Sequence, residues 1–193
     1  SLIGNHNDVR KAVSSDFKEK GDLIYLLGET HQELGASELA FMLKEETGGG
    51  IGNDVPTIDT TRNLALYRAI TASMDEGLIR SAHDCSDGGL AISIAECCFG
   101  VGGGTTISLD GIGDVDNWAA LYGESLGRIV VTIKPDNQAR FEEMMSGHAH
   151  TLLGTVGTNK TLTFTRNGES ICKASLNTLL KAWKEPLNMG GAV

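Results

Sequence analysis

The sequence predicts an α+β fold in which a mixed, largely antiparallel sheet is covered by helices. Three observations lead there. Strand-like apolar runs and helical periodicities are interleaved, but not in strict strand–helix–strand order, so a purely parallel sheet does not follow. Neighbouring strand candidates at 152–156 and 161–165 flank a Gly157-Thr158-Asn159-Lys160 turn, the pattern of an antiparallel pair. The length of 193 residues suits one domain, or at most two small ones, and 40% hydrophobic content can fill a core without disulfide or metal staples.

The elements follow in order. The opening stretch over 1–21 is polar, with a short turn or helix at 8–13. Residues 22–28 (DLIYLLG) are an apolar run stopped by glycine, which predicts a buried strand. The polar segment 29–35 is a loop. Apolar residues at 36, 39, 40, 42 and 43 then predict a helix over 36–46. Gly48-Gly49-Gly50-Ile51-Gly52 reads as a flexible break, a hinge or lid. Residues 56–78 read as one long helix, capped by Asp59 or Thr60 and with Gly77 near its end. A short strand at 79–82 leads into a polar loop and a helix over 90–98. A glycine cluster at 100–104 precedes a strand at 105–109 and a short helix at 117–122. The loop 123–127 introduces the strong strand 128–134 (RIVVTIK), and a helix covers 138–145. An amphipathic helix at 175–183 is the last clear element. The expected organisation is a connecting segment over 1–20, a domain over 21–185 and a tail over 186–193.

Composition narrows the function. The net charge is −9 and no Lys/Arg cluster occurs along the sequence, so nucleic acid and anionic membrane surfaces are poor partners. No apolar run approaches the ~18 residues of a membrane span, and no signal peptide is visible. Cys85, Cys97, Cys98 and Cys172 form no CxxC pair and read as reduced thiols of a cytoplasmic protein. The chain starts at Ser1 without methionine, as expected of an excised fragment or a trimmed tag.

The most distinctive segment is 81–96, SAHDCSDGGLAISIAE. It joins a strand end, a loop with two carboxylates, a Gly-Gly pair and a helix start. Two readings of it are open from spacing. A loop feeding a helix N-terminus offers backbone N–H groups to an anion, and Asp84 and Asp87 would suit magnesium held beside phosphate. Alternatively, Ser86 or Asp87 caps the helix and the glycines make a tight turn. The polar segment 28–38 (GETHQELGASE) is a ligand loop or a surface connection. Glu124-Ser125 is a pair presented to a cleft, or a solvated turn, and Arg128 pairs with an acid. The five histidines show no metal-ligand spacing. His148 and His150 read as surface loop residues, and neighbouring His83 and Asp84 should point to opposite faces of their strand.

The order DLIYLLGET, ELGASE, SAHDCSDGGLAISIAE, GESLGRIVVTIKP, LGTVG resembles the C-terminal portion of the phosphoribosylformylglycinamidine synthase family, from about Gly21 to Trp183. That family is grouped with aminoimidazole ribonucleotide synthase, selenophosphate synthetase and the hydrogenase maturation protein HypE. The resemblance implies a C-terminal α+β domain of an ATP-dependent carbon–nitrogen ligase of purine biosynthesis, which converts formylglycinamide ribonucleotide to the amidine. It implies ATP and Mg2+ as cofactors. The implied partners are N-terminal domains of the same chain, a glutaminase subunit or domain and a small ribonucleotide substrate. Carried onto this sequence, the metal ligand falls on Asp84. Nucleotide or substrate contacts fall on Ser86, Asp87, Gly88, Gly89, Glu124 and Ser125, and no catalytic residue falls within the chain. Leu126 stands where the related pattern has glutamine. Such a domain is expected to be inactive alone. The alternatives are a non-catalytic assembly module, or the same domain of a related ATP-using enzyme such as aminoimidazole ribonucleotide synthase.

Overall fold

In a computed structural model, which describes residues 8–100 and 102–185, the chain forms a seven-stranded sheet with the order β2-β4-β1-β5-β3-β6-β7. The strands are β1 Leu23–Leu27, β2 Ile79–Asp84, β3 Thr105–Ser108, β4 Ile129–Ile133, β5 His150–Val156, β6 Thr161–Arg166 and β7 Glu169–Ser175. Every neighbouring pair is antiparallel except β3 and β6, which run parallel, so the sheet is mixed and largely antiparallel as expected, but β5 and β6, read from the sequence as an antiparallel pair around the 157–160 turn, do not pair, because β3 lies between them. The helices are α1 Glu38–Thr47, α2 Thr60–Asp75, α3 Gly89–Phe99, α4 Asn117–Tyr122, α5 Gln138–Met144 and α6 Leu176–Lys184. The tail expected over 186–193 and the first seven residues, His6 among them, lie outside the described residues.

Strand β1 is apolar throughout because both its faces are covered. Ile24 and Leu26 point into one core with Ile94, Ile107, Val130 and Leu176. Leu23, Tyr25 and Leu27 point into the other with Leu66, Ile70, Val131 and Phe141. The two-residue period of the strand thus separates two helical layers. Helices α3, α4 and α6 cover one face, and α2 and α5 cover the other. Phe17 belongs to the first core at 0% exposure, and its N–H donates to Cys97 O at 2.9 Å. The stretch before residue 21, expected as a connector, is therefore packed into the domain at that point.

Several boundaries differ from the sequence reading, each for a local reason. The long helix over 56–78 shortens to Thr60–Asp75. Asp59 Oδ1 accepts from the Arg62 N–H at 3.0 Å and fixes the start, while Gly77 turns left-handed (φ +71°) just past the end. The break at 48–52 is only partly free. Gly48 is the left-handed C-cap of α1, and the chain then doubles back, with Ala36 N–H donating to Ile51 O (2.7 Å) and Gly35 N–H to Asp54 O (3.2 Å). His150 opens β5 instead of lying in a loop, and both His148 and His150 are half-buried. Strand β7 has no counterpart in the sequence reading. Its hairpin with β6 turns at Asn167 (φ +52°) and Gly168 (φ +78°), and that Asn-Gly pair is the signal that would have found it.

All four cysteines are free thiols, and three are buried. Burial pushes the Cys98 thiol up to about 12 and raises those of Cys85 and Cys97 as well. We expect a disulfide exchange reagent to titrate Cys172 alone in the native chain and all four thiols after denaturation. Fast native reaction of Cys97 or Cys98 would contradict the packing of α3.

Candidate functional site

The site forms where the loop after β2, the loop before β4 and the segment after β1 converge. Its base is Arg128, whose side chain is buried at 1% exposure. The guanidinium donates from Nη1 to Thr30 Oγ1 (3.0 Å), from Nε to Ser125 O (3.3 Å) and from Nη2 to Gly123 O. It pairs with no acid: among the described residues no carboxylate oxygen comes within 4.0 Å of it, contrary to the sequence reading. Burial lowers its affinity for the proton, while Cys85, Glu33 and Glu124 act the other way. A guanidinium nevertheless keeps its charge in proteins. Gly28 is required beside it, because a Cβ there would lie 2.9 Å from Gly127 O at a φ of +92°.

Glu124 and Ser125 are not a solvated turn. Glu124 Oε1 accepts from Gly88 N–H (2.9 Å) and from Glu38 N–H (3.0 Å), so one carboxylate caps the starts of α3 and α1 together. Ser125, 1% exposed, accepts from His31 N–H at 3.0 Å and so anchors the loop after β1. This arrangement corrects the capping role expected of Ser86 or Asp87. The N-cap of α3 is Gly88 (φ +77°), without a side-chain cap of its own, and Glu124 supplies the acceptor from across the site. Gly89, also left-handed, faces the end of α4, where a Cβ would meet Gly123 O at 2.5 Å.

Asp84 ends β2 with its side chain 71% exposed, and the Ser86 hydroxyl donates to its Oδ2. That bond holds the Asp84 carboxyl below the usual carboxylate range, against partial burial. The His83 ring bridges two acids, contrary to the expectation that it and Asp84 point apart: its Nε2 lies 2.9 Å from Glu96 Oε2 and its Nδ1 3.7 Å from Asp84 Oδ1, and Glu96 in turn accepts from Trp183 Nε1 at 3.1 Å. Its ring still reaches the Asp84 carbonyl through Nδ1 at 2.7 Å.

The sequence-predicted residues therefore divide. Asp84, Ser86, Asp87 and Glu124 share one cavity of about 490 Å³ with Arg128. Gly88 joins Asp87 on a neighbouring, more apolar cavity of about 520 Å³ against Trp118 and Tyr122. Gly89 and Ser125 line neither and act behind the wall. Two wall residues, Arg128 and Ala36, carry more than sequence reasoning gave them. The signal for Arg128 was a lone cation opening an apolar strand. Ala36 sits at φ +57°, a conformation uncommon outside glycine, and no residue type in the sequence announces it.

A family model described as AIR synthase related protein, C-terminal domain, matches residues 19–166. The chain belongs to this family. The resemblance seen in the sequence therefore holds at the level of the superfamily. Among solved structures, Thermotoga maritima PurL complexed with FGAR superposes with a TM-score of 0.77 at 19% identity, covering 89% of this chain and 30% of that one. The same protein complexed with ATP gives 0.69 at 17% identity, covering 89% and 27%. E. coli HypE, a hydrogenase maturation protein, gives 0.59 at 16% identity, covering 82% and 50%. At these identities the likeness is one of fold. The chain spans less than a third of the length of the PurL chains it matches.

Three variants at two positions test the geometry through urea unfolding. Glu124→Gln keeps an acceptor but loses the charge facing two helix starts, and should cost about 0.3–1 kcal/mol, whereas Glu124→Ala should cost about 1–3 kcal/mol. Arg128→Lys should cost about 3 kcal/mol, because a single ammonium cannot serve three divergent acceptors. It should also speed amide exchange at His31. A neutral result for Arg128→Lys would remove the guanidinium from the centre of the site.

Proposed function

We propose that this chain is the C-terminal domain of an ATP-dependent synthase of the phosphoribosylformylglycinamidine type, forming one wall of its nucleotide and substrate cleft. The observation that carries this reading is the shared cavity of Asp84, Ser86, Asp87 and Glu124 over the buried Arg128, in a fold similar to PurL structures complexed with ATP and with FGAR. In such an enzyme ATP supplies the phosphoryl group that activates the substrate amide oxygen for displacement by ammonia. The residues of this chain bind and orient. Arg128 gives the cavity floor a fixed positive charge, and Glu124 holds the loop and two helix starts in register around it.

Magnesium fits in one way only. Among the described residues no three potential ligands cluster, so a protein cage for the ion is absent. Asp84, ionised and exposed with a hydroxyl beside it, suits an ion carried mainly by phosphate oxygens and water. The full enzyme would also need N-terminal domains and a glutaminase partner, in keeping with a similar T. maritima structure of PurLQS. Free buried thiols accord with a cytoplasmic setting. Among the described residues no helix is long and apolar enough to cross a membrane.

A second reading rests on Glu124 and Ser125. Glu124 Oε1 and Ser125 Oγ already serve the backbone, which suits a domain that only shapes and assembles the cleft. Calorimetric titration with Mg-ATP separates the two. The proposal expects saturable, magnesium-dependent binding that is lost in Asp84→Asn, and no amidine formation by the chain alone. Absence of binding even with the N-terminal domains added back would favour the assembly role.

A further inference from the structure

The glycine cluster at 102–104 takes no part in the site above. The fold sets it against the Gly157-Thr158-Asn159-Lys160 turn. Gly104 N–H donates to Asn159 O (2.7 Å), and Gly157 N–H donates to Gly104 O (3.0 Å). A Cβ on Gly104 would lie 1.9 Å from Thr161 O, and one on Gly157 would lie 2.7 Å from Gly104 O. Only glycine lets these two loops lie backbone against backbone. Between them and the segment before β1 is a cavity of about 200 Å³, lined by Lys18, Lys20 and Lys160 together with Gly102, Gly103 and Gly157. At roughly 30 Å³ per water-sized group, that is ample for the five heavy atoms of a phosphate.

The charge around this cavity is one-sided. Among the described residues no carboxylate lines it. Of the acids nearest to Lys18 and Lys20 in sequence, Glu19 and Asp22 both pair with Arg80, at 2.8 and 3.3 Å, while Asp16 lies against Gly100, where a Cβ would meet its carboxyl at 2.4 Å, and lines no part of the cavity. The Lys18 ammonium donates to the Ser14 hydroxyl and that of Lys160 to Gly102 O, both neutral acceptors. Among the described residues none of the three lysines meets a carboxylate within 4.0 Å. The N–H groups of Gly103 and Thr158 donate to no acceptor among the described residues. In a chain of net charge −9, three uncompensated cations beside free backbone donors invert the local field.

We propose that this cavity is a second ligand site, separate from the Asp84 cavity, that binds a phosphate-class anion through Lys18, Lys20 and Lys160 and the amides of the glycine loops. The lysines supply attraction without fixed geometry, and the rigid backbone supplies orientation. It does not depend on the functional reading above.

The test is amide NMR of the full chain titrated with inorganic pyrophosphate, and in a parallel arm with ADP. Saturable shifts should concentrate at Gly102, Gly103 and Thr158. Lys18→Gln/Lys20→Gln/Lys160→Gln should weaken binding at least about tenfold, while Lys44→Gln/Lys181→Gln/Lys184→Gln, which changes the net charge equally, should leave it within about twofold. If the first triple variant does not fold, Lys20→Gln alone should weaken binding about threefold, because Lys20 is exposed. Asp84→Asn should leave these shifts unchanged. Tighter binding of ADP than of pyrophosphate would mark the phosphate as part of a nucleotide, and equal or weaker binding would mark it as a free or otherwise esterified phosphate. Unsaturable shifts, shifts spread over the exposed lysines in general, or equal weakening by both triple variants would overturn the proposal.

Discussion

Burying an unpaired guanidinium is the constraint on which the candidate site depends. Removing a charge from water costs several kcal/mol, and only well-placed acceptors offset it. Arg128 finds them in Gly123 O, Ser125 O and Thr30 Oγ1, which belong to two loops distant in sequence. Satisfying the cation therefore fixes both loops at once. The loop before β4 cannot move without exposing Arg128 to an unmet desolvation cost, and the segment after β1 is tied to it again through Ser125 and His31. The backbone shape of the cavity is thus a consequence of one buried charge.

Glu124 extends the same economy to the helices. A helix start leaves backbone N–H groups without partners, and a carboxylate there also meets the favourable end of the dipole. One Glu124 oxygen serves Gly88 at the start of α3 and Glu38 at the start of α1. The loop over 86–88 is consequently free of capping duty. Asp84, Ser86 and Asp87 stay exposed at the cavity mouth instead of being consumed by the helix beneath them. A residue type that reads as functional can be structural, as Glu124 is, and its structural work leaves its neighbours available for a ligand.

The glycines do two different jobs in this domain. Gly88 and Gly89 let α3 begin tight against α4 and Ile92, where any side chain would collide. Gly104 and Gly157 bring two loops together and leave three lysines around the gap. The first job shapes the candidate site around Asp84 and Glu124. The second assembles a basic pocket in an acidic chain, which composition alone argues against.

The sequence by itself determined the family and most elements of the secondary structure, though not all their boundaries. The unbroken apolar run of β1, the glycine stops and the aspartate and serine caps are local signals, and local backbone sterics and hydrogen bonding act on them directly. Strand β7 was missed, although Asn167-Gly168 carries the local signal of its hairpin. What only the tertiary structure decided is the state of the polar side chains. Whether Glu124 faces water or two amides, whether Arg128 meets an acid or carbonyl oxygens, and whether Lys18 and Lys160 stand together depend on contacts across tens of residues. Those contacts are set by the strand order β2-β4-β1-β5-β3-β6-β7. Spacing along the chain carries no information about them, because charge and hydrogen-bond energies depend on separation and burial in space.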